Sequence, residues 1–442
     1  VPVVETSTES VPIRIRDKKR VLSSAFIGTT IEWYDFYLYG TASALVFGTQ
    51  FFSGSSTFVG ILASFATFAV GFLARPLGGI IAGHLGDRVG RKSLLVFSLL
   101  TMGIASTAIG LLPNYATIGA LAVVGLVLLR LLQGVAAGAE WGGSALLSVE
   151  HAPRRLRGFF GSFTQVGSAA GMLLATGAFA ITRFSLTEQQ FTQYGWRIPF
   201  LLSAVLVGVG LWIRIGITDA KPFQELKEKE QVLAAPIREI LVHHRRALLV
   251  TIGLRLAQPA LYSLLTVYIL GYLSARRGDT TSGVTAVLIA SALGLLSGPL
   301  WGYASDRFGR RRVTIFGIVG IAVVVWPLFW FLDSGPLILL PLVMIVAMNI
   351  VHDSIYGPQA AWFAEQFPLH VRYSGVSFGY QVGTILSGGL TPFIAAGLLA
   401  LGGGAPWLIA GYLTLLAALS LVAALAAKDP ARQQDHSTPD TF

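Results

Sequence analysis

GHLGDRVGRK (83–92) and GYASDRFGRR (302–311) are one loop written twice. Gly83, Asp87, Arg88, Gly90, Arg91 and Lys92 are matched by Gly302, Asp306, Arg307, Gly309, Arg310 and Arg311, each 219 residues later. A second pattern, Glu-x-x-Pro-x-x-x-Arg, recurs in the same way: Glu150, Pro153 and Arg157 are answered by Glu365, Pro368 and Arg372, each 215 residues on. Near-constant offsets at two separate pairs of loops predict a chain of two halves that repeat one topology. The glycines allow a tight turn and close helix approach. The Asp and Arg side chains at facing helix ends are expected to pair across the halves as a latch that breaks when the halves rock.

What lies between the loops sets the solvent. The 442 residues are 54% hydrophobic and only 12% charged, with a mean hydropathy of +0.68. That excludes an ordinary soluble domain of this size. Twelve apolar runs, near 21–48, 57–82, 93–112, 117–142, 159–182, 197–217, 247–274, 281–303, 313–332, 336–356, 373–399 and 404–426, match the roughly 20 residues that a helix needs to cross about 30 Å of hydrocarbon. The longest loop divides them six and six. The expected fold is therefore an all-α membrane protein with 12 transmembrane helices in two pseudo-symmetric six-helix bundles. The halves are related by an axis along the membrane normal, with a solute path between them. The expected segments are an N-terminal tail (1–20), a bundle (21–217), a linker (218–246) with one or two interfacial helices, a second bundle (247–427) and a C-terminal tail (428–442). Both tails are polar and expected to be disordered. The first apolar run follows a basic stretch but is too long for a signal peptide and is interrupted by Glu32 and Asp35, so it reads as a retained helix.

A net charge of +10 could suggest nucleic acid, but its distribution argues otherwise. With both termini inside, 24 of the 32 Lys and Arg fall on the cytoplasmic side and four outside, at Arg183, Arg197, Arg276 and Arg277. This is the positive-inside asymmetry, and it predicts cytoplasmic termini. There is no cysteine, which excludes disulfides, thiolate metal sites and a cysteine nucleophile. Within the spans there are no paired histidines at i,i+4 either, so neither an enzyme nor a metal or other cofactor is expected.

A charge at mid-bilayer costs on the order of 2.5–3.5 kcal/mol, so each one needs a partner, a wet cavity or a task. Glu32 and Asp35 lie about 11 and 14 residues into the first span, roughly 16 and 21 Å deep, and share a helix face. Two carboxylates so close in low dielectric resist joint ionisation, as a proton-coupling site requires. Asp35 is the first candidate for proton carrier and Glu32 the second, the alternative being structural acids neutralised by Arg75 or Arg130. Arg130, Gln133, Ala137, Glu140 and Ser144 form one polar stripe expected to face the cavity, where Arg130 can hold a carboxylate bidentately or pair with Glu32 or Asp35. Arg75 and Arg255 read either as solute or coupling groups or as snorkelling side chains. Tyr356 and Gln359 on the tenth span, and Tyr380 and Gln381 on the eleventh, are candidate uncharged solute contacts. His352 and Asp353 read as a proton relay or as structural residues. Tyr37, also a candidate solute contact, belongs with Tyr39, Tyr262, Tyr268 and Tyr272 to a set that fits cavity lining or an aromatic belt.

IEWYDFYLYG (31–40), FLARPLGGIIAGHLGDRVGRK (72–92), RLLQGVAAGAEWGGSALLSVEHAPRRLRG (130–158), GWRIPFLLS (195–203) and GPQAAWFAEQFPLHVRYSGVSFGYQVG (357–383) together resemble the metabolite:proton symporter family of the major facilitator superfamily. The resemblance covers roughly residues 20 to 400. It implies the major facilitator fold in a bacterial inner membrane and alternating-access import, by a monomer, of a small organic acid (mono-, di- or tricarboxylate) with protons. The alternatives are symport of a zwitterionic osmolyte such as betaine or proline, an uncoupled facilitator, or an exporter. The gating roles fall on Asp87, Arg88, Arg91, Glu150, Arg157, Asp306, Arg307, Arg310, Glu365 and Arg372. Two departures bear on substrate. Some members carry Arg-x-x-Glu-Asn on the seventh span, where this chain has Arg255-Leu256-Ala257-Gln258-Pro259, without the acid. The osmosensing members have a long C-terminal coiled coil, whereas about 15 polar residues follow the last span here. The Pro-Glu-Ser-Pro-Arg run of sugar porters is replaced by Asp219-Ala220-Lys221-Pro222-Phe223, and Gly167 to Gly177 lacks the proline of the drug antiporters.

Overall fold

The computed structural model describes residues 15–53, 56–89, 91–138, 145–146, 148–149, 152–215, 236–368 and 371–429. Its long helices are α1 (Ile15–Leu45), α2 (Thr57–Val89), α3 (Arg91–Leu111), α4 (Ala120–Gly138), α5 (Arg157–Ser185) and α6 (Arg197–Ile215), followed by α7 (Arg245–Arg277), α8 (Thr281–Phe308), α9 (Arg310–Ser334), α10 (Leu337–Gln366), α11 (Arg372–Thr384, continued through Ile385–Gly389 to Thr391–Leu401) and α12 (Trp407–Ala426). Among the described residues nine helices are long and apolar enough to cross a membrane, and a tenth span is α6 with the bent segment Glu188–Gly195 before it. The other two expected spans are α1, which carries Glu32 and Asp35, and α3, whose apolar part is Val96–Leu111.

Boundaries differ from the apolar runs where polar residues extend a helix beyond the hydrocarbon. The first helix starts at Ile15, inside the expected tail, and α10 runs on to Gln366. A short helix, Pro236–His243, lies within the stretch expected to hold interfacial helices.

The two bundles meet along three seams. α5 packs on α8 and α10, α2 on α11, and α1 on α7. Within the first bundle α2 and α4 cross closely, because glycines let backbone meet backbone. A Cβ on Gly134 would lie 2.1 Å from the carbonyl oxygen of Gly71, and one on Gly138 would lie 1.9 Å from that of Arg75. With no hydrophobic drive between helices in lipid, such close van der Waals contact is what joins them.

The second bundle is less regular. π-turns interrupt α7 (Leu264–Tyr268), α10 (Val346–His352) and α11 (Ile385–Gly389). Such turns re-aim side chains and cluster at functional sites.

The glycine crossing has a direct test. Gly134→Ala should lower the thermal midpoint in detergent by an amount equivalent to about 1–3 kcal/mol, as overpacking does. Gly208→Ala, whose Cβ would meet nothing within 4 Å, should leave the midpoint unchanged or raise it.

Candidate functional site

Arg255 sits where α7 breaks. Pro259, four residues on, has no N–H, and its ring clashes with the carbonyl at i−4, which is that of Arg255. The helix accordingly opens at Arg255–Leu256. The groups freed by the break find partners on neighbouring helices, as buried backbone must. Ser387 on α11 donates to the Arg255 carbonyl at 3.2 Å. On α12, Ser420 accepts from the Ala257 N–H at 3.0 Å and donates to the Gly253 carbonyl at 2.7 Å. The guanidinium is 1% exposed, so it does not snorkel. It donates through Nε to Thr384 Oγ1 at 3.0 Å and through Nη1 to the side-chain oxygens of Gln258 and Gln359, and it lies 3.8 Å from the ring centroid of Tyr380. Among the described residues no carboxylate lies within ion-pair distance of it.

Arg255 forms part of the wall of a narrow cavity between the bundles. Trp33, Tyr37 and Ser168 come from the first bundle; Gln258, Tyr262, His352, Tyr356 and Thr384 come from the second. An adjoining narrow cavity shares Ser168, Tyr262, His352 and Tyr356 and adds Gln165, Ser291, Asn349 and Asp353. Tyr37 Oη and Ser168 Oγ share a hydrogen bond of 2.8 Å, and the Tyr262 ring lies 4.4 Å from that of His352. His352 Nδ1 is 2.8 Å from Asp353 Oδ1, Asp353 Oδ2 accepts from Ser297, and His352 Nε2 is 2.5 Å from Gln258 Nε2. Gln165 is buried with neither amide atom hydrogen-bonded.

The remaining intramembrane charges lie one layer behind this wall. Arg75 meets Glu32 at 3.7 Å, and its guanidinium stands 5.0–5.9 Å from the rings of Phe72, Phe36 and Trp33. Arg130 stands 4.2 Å from the Tyr39 centroid and donates to Gln133, which donates to Ser106 at 2.6 Å. The expectation that Arg130 and Gln133 face the cavity gives way to a sealed position, because Gly71 lets α2 close directly over the guanidinium. Asp35 accepts from Ser203 Oγ at 2.8 Å, its Oδ2 is without a hydrogen bond, and no described cation reaches ion-pair distance.

Of the other expected contacts, Gln359 and Tyr380 hold Arg255 from behind, and Gln381 is buried with Oε1 unbonded. Tyr268 and Tyr272 bond Ala395 and Asp333, away from both cavities. Gln258 is legible in the sequence only as the position where an acid is missing.

Contacts across the seam are present at both ends. At the end away from the repeated loops, Gly40 packs on Val267, Gly271 on Ala44, and Phe65 on Tyr268. At the loop end the Asp306 carboxylate accepts the backbone N–H groups of Gly158 and Phe159, each at 2.8 Å. These are orphan donors at the start of α5, where the helix dipole favours negative charge. Across the seam the described latch acid, Asp306, thus meets a helix end rather than an Arg side chain. Arg310 is 2.6 Å from Asp306 and 3.4 Å from Glu365, and its guanidinium lies against Gly158 of the other half. Arg307 is exposed beside Phe308, Arg372 donates to the Phe367 carbonyl, and Arg157 is half-buried. The side chains of Asp87, Arg88 and Arg91, and all of Glu150, lie outside the described residues, as do Glu140 and Ser144.

The profile of the Major Facilitator Superfamily matches residues 25–379 and 279–441. The shikimate transporter of Escherichia coli K12 is 40% identical over 433 residues, covering 97% of this chain and 99% of that protein. The inner membrane metabolite transport protein YhjE of the same organism is 39% identical, covering 96% and 97%. Its proline/betaine transporter is 32% identical, covering 96% and 87%. Among solved structures the D-xylose-proton symporter is similar in fold, with a TM-score of 0.71 at 18% identity over 92% of this chain and 97% of that one.

The Asp306 contact predicts its own loss. Since the chain has no cysteine, a single Ser291→Cys reports access to the second cavity. A lost helix cap costs about 0.5–2 kcal/mol, so adding Asp306→Ala should speed thiol labelling from the loop side by about 2- to 30-fold. Unchanged labelling would remove Asp306 from the closure.

Proposed function

The chain belongs to the major facilitator superfamily, and on that premise we propose that this transporter imports a small organic acid together with protons by alternating access. The observation that carries the reading is Arg255, a buried cation on the cavity wall with only neutral partners among the described residues. A fixed cation held out of water attracts an anion strongly, and a guanidinium presents two parallel N–H groups to a carboxylate. The lining of the two adjoining cavities, polar groups flanked by aromatic faces, suits a small acid whose apolar body can lie against rings. Shikimate, named for a relative 40% identical, is the first candidate.

A second reading is a zwitterion such as betaine. It is favoured by the rings of Trp33, Tyr37, Tyr262 and Tyr356 around the cavity, which suit a quaternary ammonium group by cation–π attraction. Both ligands would place a carboxylate on Arg255, so competition between them decides.

The proton-carrying role stays with Asp35, which is buried with no described cation within ion-pair distance, ahead of Glu32, which pairs with Arg75. The loop end with its many basic residues faces the cytoplasm in this reading, together with both termini, and the bundles work as a monomer. Asp306, Arg310 and Glu365, with Arg157 and Arg372 nearby, act at the cytoplasmic closure.

Counterflow of labelled shikimate in proteoliposomes tests the reading, with citrate, 2-oxoglutarate, proline and betaine as competitors. Arg255→Gln should weaken the acid by about 1.5–3 kcal/mol, roughly 10- to 150-fold. Counterflow by betaine alone would transfer the site to the zwitterion, and no counterflow of any acid would end the organic-acid reading. Asp35→Asn should retain counterflow yet lower the accumulation driven by an inward proton gradient; accumulation equal to that of the wild type would clear Asp35 of the role.

A further inference from the structure

We infer that His352 is a protonation site tied directly to the solute, and that the side-chain amide of Gln258 is the switch that ties them. The inference rests on the organic-acid reading of Arg255. Gln258 touches both partners at once: its oxygen accepts from Arg255 Nη1, and its nitrogen lies 2.5 Å from His352 Nε2. An amide has one accepting end and one donating end. With the accepting end committed to Arg255, the donating end faces His352, whose Nε2 must then be an acceptor. The ring proton therefore sits on Nδ1, donated to Asp353 Oδ1 at 2.8 Å. In this arrangement His352 is neutral.

A proton arriving at Nε2 would set an N–H against the amide NH2. The amide then turns over, a rotation about a soft terminal torsion, so that its oxygen accepts from His352. Its NH2 now faces Arg255, where donor meets donor. Arg255 keeps Gln359 and Thr384 but loses the acceptor of one Nη1 N–H, which joins the two N–H groups of Nη2 that already have no side-chain or backbone acceptor among the described residues. A solute carboxylate supplies that acceptor. Conversely, a carboxylate that displaces Gln258 from Arg255 frees the amide oxygen for a protonated His352.

The charges agree with the geometry. Arg255 and Asp353 together sum to zero with His352 neutral. The anion alone leaves the site at −1, the proton alone at +1, and the two together at zero. In a low dielectric both half-loaded states are disfavoured, so proton and anion bind as a pair and each raises the affinity of the other equally. The groups that face His352 do not supply another counter-charge. α7 brings Arg255 and Tyr262, α1 brings Tyr37, α10 brings Asp353 and Tyr356, while α5 and α8 bring Gln165, Ser168, Ser291 and Ser297, all neutral. Asp35 lines neither cavity, so the solute has no such direct contact with it.

The test is calorimetry of shikimate binding to the purified full chain between pH 5.5 and 8.5, where the carboxylate stays ionised, in two buffers of different ionisation enthalpy to count protons. The wild type should take up one proton with each shikimate on the alkaline side, and its affinity should fall about tenfold per pH unit there. Gln258→Leu keeps the charges but loses the amide, so it should take up clearly fewer than one proton per shikimate, with a correspondingly shallower fall of affinity per pH unit. A wild-type slope and proton count in Gln258→Leu overturn the inference alone. Should that variant bind nothing, His352→Gln decides: binding without proton uptake supports the inference, and either proton uptake or a complete loss of binding overturns it. If the wild type binds no organic acid at any pH, the reading of Arg255 falls and the inference falls with it.

Discussion

A cation taken out of water has to be answered, and the interior of this protein is arranged around answering three of them. Arg75 is answered by a carboxylate, Glu32, and by three aromatic rings. Arg130 is answered by an amide, Gln133, and by the faces of Tyr39, Phe68 and Phe36. Arg255 is answered by two amides, a hydroxyl and the face of Tyr380. The differences matter because desolvation is severe for an isolated ion and is relieved fully only by an opposite charge. Dipoles and rings hold Arg255 in place without cancelling it. Of the three, it is the one on the cavity wall.

The two bundles share a topology but not a texture. In the first, α1 runs without interruption from Ile15 to Leu45, and its acids are packed beneath aromatic side chains. In the second, a proline break and three π-turns interrupt the helices, and two of those turns put His352 and Gly388 on the cavity wall. Irregular backbone at membrane depth persists only where protein satisfies it. Ser387 and Ser420 do so for α7. One half is thus a stiff housing for buried charge, and the other is shaped to present side chains to a ligand.

The helical membrane fold, the division into halves and the identity of the charged interior residues were legible, because apolar length, repeated loops and rare intramembrane charges are local signals. Which charges share a wall was not. Arg130 and Gln133 lie on a polar stripe that reads as cavity-facing, yet the closeness of α2 through Gly71 seals them away, and that depends on a crossing between helices. The break at Arg255 did carry a local sign, Pro259 at i+4, which fixes the clash before any tertiary contact is known. Gln258 and His352 are 94 residues apart, on different helices, and no pattern within either helix announces their meeting. Asp306 misled in a different way. Its partner across the halves is the start of α5 rather than a side chain, and a backbone N–H leaves no mark in a sequence.

That contact also makes α5 a measuring rod. Gly158, held by Asp306 at one end, and Ser168, hydrogen-bonded to Tyr37 in the cavity wall, are ten residues apart on one unbroken helix, about 15 Å along its axis. A stiff rod pinned at its tip turns a sideways push near its middle into strain at the pin. Filling of the cavity and release of the far closure are then two readings of a single tilt, and no separate messenger between them is required.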